Sequence, residues 1–289
     1  MSYEILKVSG SLVEHWKYQH APIVVKRSKY ANTSRKGYRK SHARRADNIR
    51  RSRALFTRIV RSNLLATEIP ALVTLTMLEV LPVKTSFRLL TQFFTRCRKQ
   101  FGRDFKYIAA IEFQQRGATH FHILWWGLPN NLPCRGSFKQ RGKRKVFYCS
   151  TWKEGQCECE KRTIQRLWSR GYADCIATDG SNKLAGYLAK YMSKSMQDIR
   201  LGGERAYCAS RNVLRPMRAA SRAFGDEILD QIGASGTPRY IHKFNVRFLG
   251  ECTYQAYEKD PLQPKVPNVP AEQGTLSGDH QSLDKNEEF

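Results

Sequence analysis

At 289 residues, the chain suffices for one large domain or one domain with appendages, and its 41% apolar residues supply a substantial core. A formal net charge of +25 and a pI of about 10.0 exceed what solubility needs and point to a polyanionic partner. The sequence shows no run of 18 apolar residues, no signal peptide and no basic amphipathic anchor, so nucleic acid is favoured over a membrane surface.

Residues 1–25 read as a short irregular lead-in. Residues 26–61 hold fourteen Lys/Arg against a single acid, Asp47. Lys26 to Lys40, rich in Ser, Gly and Tyr, reads as flexible. From Ser41 onward Ile49, Leu55, Phe56, Ile59 and Val60 recur at helical spacing among arginines. That pattern docks an apolar stripe on the core and leaves a basic face able to cross a DNA backbone. Residues 71–77 form a strand of the buried type, and residues 84–101 a helix carrying Phe87, Leu90, Phe93, Phe94 and Cys97 on one side. Residues 105–113 and 118–126 are strands joined by a tight turn. Residues 129–160 form a Lys/Cys/Gly-rich insertion. A short helix (162–169), a strand (172–178) and a helix (182–196) capped by Ser181 or Asn182 follow. Strand and helix signals recur over 204–249. From Tyr254 onward seven acids meet three lysines, and Pro261, Pro264, Pro267 and Pro270 fall every third residue, the pattern of a polyproline II stretch in a disordered tail. The whole predicts an α+β fold with mostly antiparallel strands. It divides into a basic arm and helix (1–62), a main domain (63–250) and a Pro-rich acidic tail (251–289).

With no export signal, the eight cysteines are expected as reduced thiols. Cys134, Cys149, Cys157 and Cys159 offer four thiolates for a structural Zn²⁺. Their spacing departs from the paired two-residue gaps of such sites, which favours free cysteine.

The strand Ala118-Thr119-His120-Phe121-His122-Ile123-Leu124-Trp125-Trp126 carries two histidines two residues apart, so both imidazoles face one side of a sheet. A three-residue loop Gln115-Arg116-Gly117, with Gly117 left-handed, sets Glu112 opposite His120. Glu112, His120 and His122 then share a face, and one carboxylate with two imidazoles suits Mg²⁺ or Mn²⁺. A two-residue loop would send Glu112 to the other face and leave Gln114 as its substitute.

About 65 residues later comes Gly186-Tyr187-Leu188-Ala189-Lys190-Tyr191-Met192-Ser193-Lys194. On a helix, Tyr191 lies roughly 40° from Tyr187, with Lys194 and Lys190 roughly 20° and 60° to the other side. Leu184, Leu188 and Met192 form the adjacent apolar stripe. The edge of such a stripe accounts for two tyrosines but leaves the two flanking lysines unexplained. A phenol ionises near pH 10 and needs help to act as a nucleophile. A neighbouring ammonium and a divalent cation on a phosphate supply that help.

These residues resemble the HUH (His–hydrophobic–His) endonucleases, specifically the rolling-circle replication initiators of single-stranded DNA phages and plasmids. Leu72 to Thr76 resembles the first family motif, Glu112 to His122 the metal motif and Tyr187 to Lys194 the nucleophile helix. The resemblance covers roughly residues 45–215. It implies a central, about five-stranded antiparallel sheet flanked by helices, on a ferredoxin- or RRM-like plan. It implies nicking and rejoining of single-stranded origin DNA with Mg²⁺ or Mn²⁺, through a 5′-phosphotyrosine and a free 3′-OH. Glu112, His120 and His122 are then the metal ligands, Tyr187 and Tyr191 the nucleophiles, Lys190 and Lys194 their helpers. No Walker-type glycine loop is present, so unwinding falls to a host helicase and synthesis to a host DNA polymerase. A bacterial cytoplasm is implied in the same way. A transposase or relaxase of the same chemistry, and a non-catalytic basic nucleic-acid-binding protein, are the alternatives.

Overall fold

The apolar runs that read as buried strands converge on one sheet, and a second sheet is built from segments without that pattern. A computed structural model describes residues 2–22 and 42–258, apart from positions 66, 143, 151, 154, 155, 158, 159, 161 and 202. Strands β1 (Tyr3–Ser9) and β2 (Leu12–Tyr18) precede α1 (His42–Asn63), β3 (Ala71–Thr76), α2 (Val83–Phe101), β4 (Lys106–Phe113) and β5 (Thr119–Trp126). Two small hairpins follow, β6 (Gly136–Arg141) with β7 (Arg144–Cys149), and β8 (Trp152–Lys153) with β9 (Gln156–Cys157). Next come α3 (Arg162–Trp168), β10 (Ala173–Ala177), α4 (Lys183–Gln197) and β11 (Tyr207–Ala209). The described chain closes with β12 (Met217–Ser221), α5 (Asp226–Gln231), β13 (Tyr240–Val246) and β14 (Gly250–Glu258).

Two five-stranded antiparallel sheets result, in strand order β10-β3-β5-β4-β11 and β12-β1-β2-β14-β13, so the α+β class holds. The histidine strand β5 is the centre of the first. Its Phe121 and Trp125 face α2 and α3: Phe121 meets Phe87 at 5.6 Å, and Phe93 meets Trp125 and Trp168 edge-on at 5.8 and 5.7 Å. Against the other face lies α4, burying Ala185, Leu188, Ala189 and Met192. Helix α1 adds Phe56, Ile59 and Val60 to the same core, while Leu55 of the expected stripe is exposed.

The expected irregular lead-in of residues 1–25 is instead the hairpin β1–β2, and the expected tail from 251 begins with β14, which pairs with β2. Neither strand alternates cleanly: Glu14 and His15 are both buried, so hydropathy gives no period of two. Leu6, Val13 and Tyr257 pack with Phe224, Ile232 and Ala234 in a second, smaller core. Between the sheets, Gly10 in the β1–β2 turn (φ +63°) sits where a Cβ would lie 2.3 Å from the Arg61 carbonyl oxygen at the end of α1. The Arg58 guanidinium donates to both oxygens of Glu14. The insertion 129–160 is anchored on β10, Cys134 N–H donating to the Cys175 carbonyl at 2.8 Å. The basic stretch Lys26–Lys40 and the prolines 261–270 lie outside the described residues. Among the described residues no helix is long and apolar enough to cross a membrane.

Phe93 is fully buried at the meeting of α2, α3 and β5. Phe93→Ala is expected to cost about 3–5 kcal/mol, read as a lowered urea midpoint with unchanged slope. A midpoint within error of the parent would contradict this packing.

Candidate active site

The turn after β4 determines what faces the histidines. Gly117 has φ +93° and its N–H donates to the Gln114 carbonyl, while Gln114 N–H donates to Ala118. The expected three-residue loop is thus the observed one, and Glu112 pairs with His120 and Phe113 with Thr119. His120 and His122 share the face, their rings 4.6 Å apart. His122 Nε2 donates to Glu112 Oε2 at 3.0 Å, and Lys194 Nζ donates to Glu112 Oε1 at 2.5 Å.

Helix α4 delivers the tyrosines to this spot. The Tyr191 ring stacks on His122 at 3.7 Å and 22°, and Tyr187 meets His122 edge-on at 6.0 Å. The two tyrosine rings are 4.9 Å apart. Ser195 Oγ donates to the Ile111 carbonyl, fixing the helix beside Glu112. The expected cap is absent: Asn182 makes no side-chain cap bond and its amide donates to Glu258 at 3.0 Å instead. Of the predicted residues, the structure brings Glu112, His120, His122, Tyr187, Tyr191 and Lys194 together. Lys190 stands exposed on the same helix.

Sequence reasoning missed Thr76. Its Oγ1 is hydrogen-bonded to His120 Nδ1 at 2.9 Å, which leaves Nε2 of that ring for another partner. The Trp168 indole N–H donates to the Thr76 carbonyl, and Arg116 donates to the carbonyls of Met77 and Leu78 just beyond. Thr76 stands opposite His120 on β3, a cross-strand register that no local signal encodes.

Burial sets the protonation states. It depresses His120 to about 4, aided by His122, and also lowers His122 despite Glu112. Burial alone would raise the Glu112 carboxyl, but hydrogen bonds from Lys194 and His122 prevail and hold it below the usual range. Burial, the bond to Tyr191 and the charge of Glu112 push the Tyr187 phenol well above its ordinary value. Lys194 therefore serves the carboxylate at rest, and Tyr187 is firmly protonated.

One carboxylate and two neutral imidazoles are the donor chemistry of a divalent ion, and a hydroxyl that orients one imidazole from behind is the usual support. As the side chains stand, no three His, Cys, Asp or Glu among the described residues are arranged to hold a metal. Glu112 spends both oxygens on His122 and Lys194, and an ion has to compete for them. His122 Nδ1 is buried without a partner, the mark of a ring only half satisfied by this arrangement. The donor set fits; its resting hydrogen bonds hold the place. For the four-cysteine site, the side chains of Cys157 and Cys159 lie outside the described residues.

A family model for replication-associated proteins of the ORF2 type matches residues 70–196, from β3 to the end of α4. The match supports a replication-associated, Rep-type protein. It spans the strands and the helix that carry the site. No curated protein and no solved structure matches the chain.

His15, buried in the second core, is also held below its ordinary 6.5 by burial, so three histidines share one sign. Their folded values lie below the unfolded one. The stability they confer is complete above about pH 6.5 and is lost as pH falls through the folded values. In chelator, the unfolding free energy is expected to drop by about 2 kcal/mol or more from pH 7 to pH 5. A flat profile from urea titrations across that window would refute neutral burial.

Proposed function

We propose that this Rep-type protein initiates replication by nicking and rejoining single-stranded origin DNA through a tyrosine. The observation that carries the reading is the stacking of Tyr191 on His122, with Tyr187 alongside, over a buried Glu112–His120–His122 face. A structural histidine in a sheet has no need of two half-exposed phenols against its ring.

In this reading the phenolic oxygen of Tyr187 or Tyr191 attacks a backbone phosphorus. The new O–P bond leaves the 5′ side of the DNA on the protein, and the broken O–P bond frees a 3′ hydroxyl, which takes up the proton. Because the ester bond is exchanged rather than hydrolysed, the reverse step rejoins a strand. Glu112, His120 and His122 would hold Mg²⁺ or Mn²⁺, which when bound polarises the phosphate under attack. Tyr187 is protonated at rest, so its proton has to leave during attack rather than before it. Lys194 is released from Glu112 whenever that carboxylate takes another partner, and its ammonium then stands beside the phenols. Lys190 adds a second cation on the same helix. Two tyrosines on adjacent turns allow one to hold a DNA end while the other attacks.

A host helicase and DNA polymerase would complete the reaction sequence, in a bacterial cytoplasm. A transposase or relaxase of like chemistry is the second reading; the match to a replication-associated family favours replication.

The test is a denaturing gel of the protein mixed with single-stranded DNA from its own replicon and Mn²⁺. A metal-dependent covalent band is expected, absent in Tyr187→Phe/Tyr191→Phe and in His120→Ala. Tight, salt-sensitive binding with no adduct from any replicon fragment would favour a non-catalytic binding protein. Thr76→Val should weaken Mn²⁺ binding about 10- to 100-fold, measured by calorimetry without DNA. Unchanged affinity would remove Thr76 from the support of the site.

A further inference from the structure

The second sheet shows one face to its own small core and the other to a row of rings. Cross-strand register puts Tyr3, Trp16, Tyr18, Tyr254, Tyr240, His242 and Phe244 on that other face. The rings form a series: Trp16 to Tyr254 at 4.9 Å, Tyr254 to Tyr240 at 6.0 Å, Tyr240 to His242 at 6.3 Å and His242 to Phe244 at 5.4 Å. Tyr240 is 54% and Phe244 37% exposed, which is costly for a row of rings with nothing to bind.

Cations accompany the rings. Lys7 Nζ lies 4.4 Å and the Arg58 guanidinium 5.7 Å from the Trp16 ring centre. Burial and the charges of Arg58 and Arg218 hold Lys7 down to about 8, the mark of a crowded cationic surface. At the Leu12 end the face runs into a cleft of about 410 Å³ between α1 and α4, lined by Arg50, Arg53, Arg58 and Arg61 from α1 and by Gly186 and Ala189 from α4. The carboxylates on this face, Glu14 and Glu258, are each paired to an arginine, Arg58 and Arg239. Positive charge is therefore in excess along a path that ends at the helix bearing Tyr187 and Tyr191.

Rings in series beside unneutralised guanidinium groups are what unpaired bases and a phosphate backbone recognise together. We infer that the aromatic face of the second sheet is a stacking platform for single-stranded DNA, joined to the tyrosine helix by the arginine cleft. Bases stack on Trp16, Tyr254, Tyr240, His242 and Phe244, while phosphates pass through Arg50, Arg53 and Arg61. The platform rests on the reading that single-stranded DNA is the substrate. It assigns to residues outside 70–196 the task of holding the strand away from the cut.

The test uses the full chain, fluorescein-labelled dT30 and fluorescence anisotropy, with a mixed-sequence 30-mer, single-stranded or annealed to its complement, for comparison. Tyr240→Ala/Phe244→Ala is expected to weaken dT30 and single-stranded 30-mer binding at least about tenfold, since each stacked base contributes about 1–3 kcal/mol. The duplex, whose bases are already stacked, should lose far less. Tyr240→Phe should restore dT30 binding beside an intact Phe244, which a merely misfolded sheet would not allow. Arg50→Glu/Arg53→Glu should lower the affinity for all three probes and flatten the salt dependence. Ring variants that melt like the parent yet bind dT30 unchanged would overturn the platform. That is also the result expected if a second copy of the chain, or its own residues 259–289, covers the row. Adduct formation on the origin oligonucleotide is scored in parallel. Adduct retained with unchanged dT30 binding sinks the platform alone; adduct absent with lost dT30 binding sinks the nicking reading alone.

Discussion

The Glu112 carboxylate is the point on which the site turns. It stands on β4, accepts from His122 on β5 and from Lys194 on α4, and so ties two strands and a helix through two oxygens. Moving it by one residue would send it to the α2 face of the sheet. Gly117 prevents this, because its left-handed backbone closes the hairpin with three residues rather than two. A single turn conformation therefore decides whether carboxylate and imidazoles meet. The helix then has to arrive at the right height, and the Ser195 bond to the Ile111 carbonyl and the stripe of Leu188 and Met192 bring it there.

This part of the molecule was legible because its signals are local. The alternation around His120 and His122, the loop length before Gly117 and the four-residue spacing of the tyrosines each sit within a dozen residues. The second sheet was not legible. The strand Leu12–Tyr18 buries Glu14 and His15 in succession, since each finds a partner, Arg58 and Glu4 respectively. The strand Tyr240–Val246 buries almost nothing and alternates only in ring character. Hydropathy reports burial, and in these strands polar pairs and exposed rings separate burial from hydropathy. Thr76 was missed for another reason: a threonine on a strand becomes informative only once β3 is paired with β5.

Helix α1 shows how one basic segment serves two ends. Its Phe56, Ile59 and Val60 belong to the main core, so its position is fixed by burial. Its arginines are then held in place rather than merely abundant, and Arg58 is oriented by Glu14. Net charge alone, as read from composition, says that a polyanion is attracted; the docking of α1 says where. The polar contacts between Gly10, Arg58 and Asn182 and their neighbours join the two sheets without a shared apolar core.

The pairing of β14 with β2 has a consequence for how the chain is made. Tyr254 and Glu14, 240 residues apart, are in hydrogen-bond contact, whereas every strand of the histidine sheet lies between Ala71 and Ala209. Closing such a long loop costs more entropy and comes later than local pairing. During synthesis the histidine sheet can close as soon as β11 emerges, while β1 and β2 wait for strands not yet translated. The tyrosine helix thus takes its place on a sheet that matures first, and the ring-bearing sheet is finished last, from both directions along the chain.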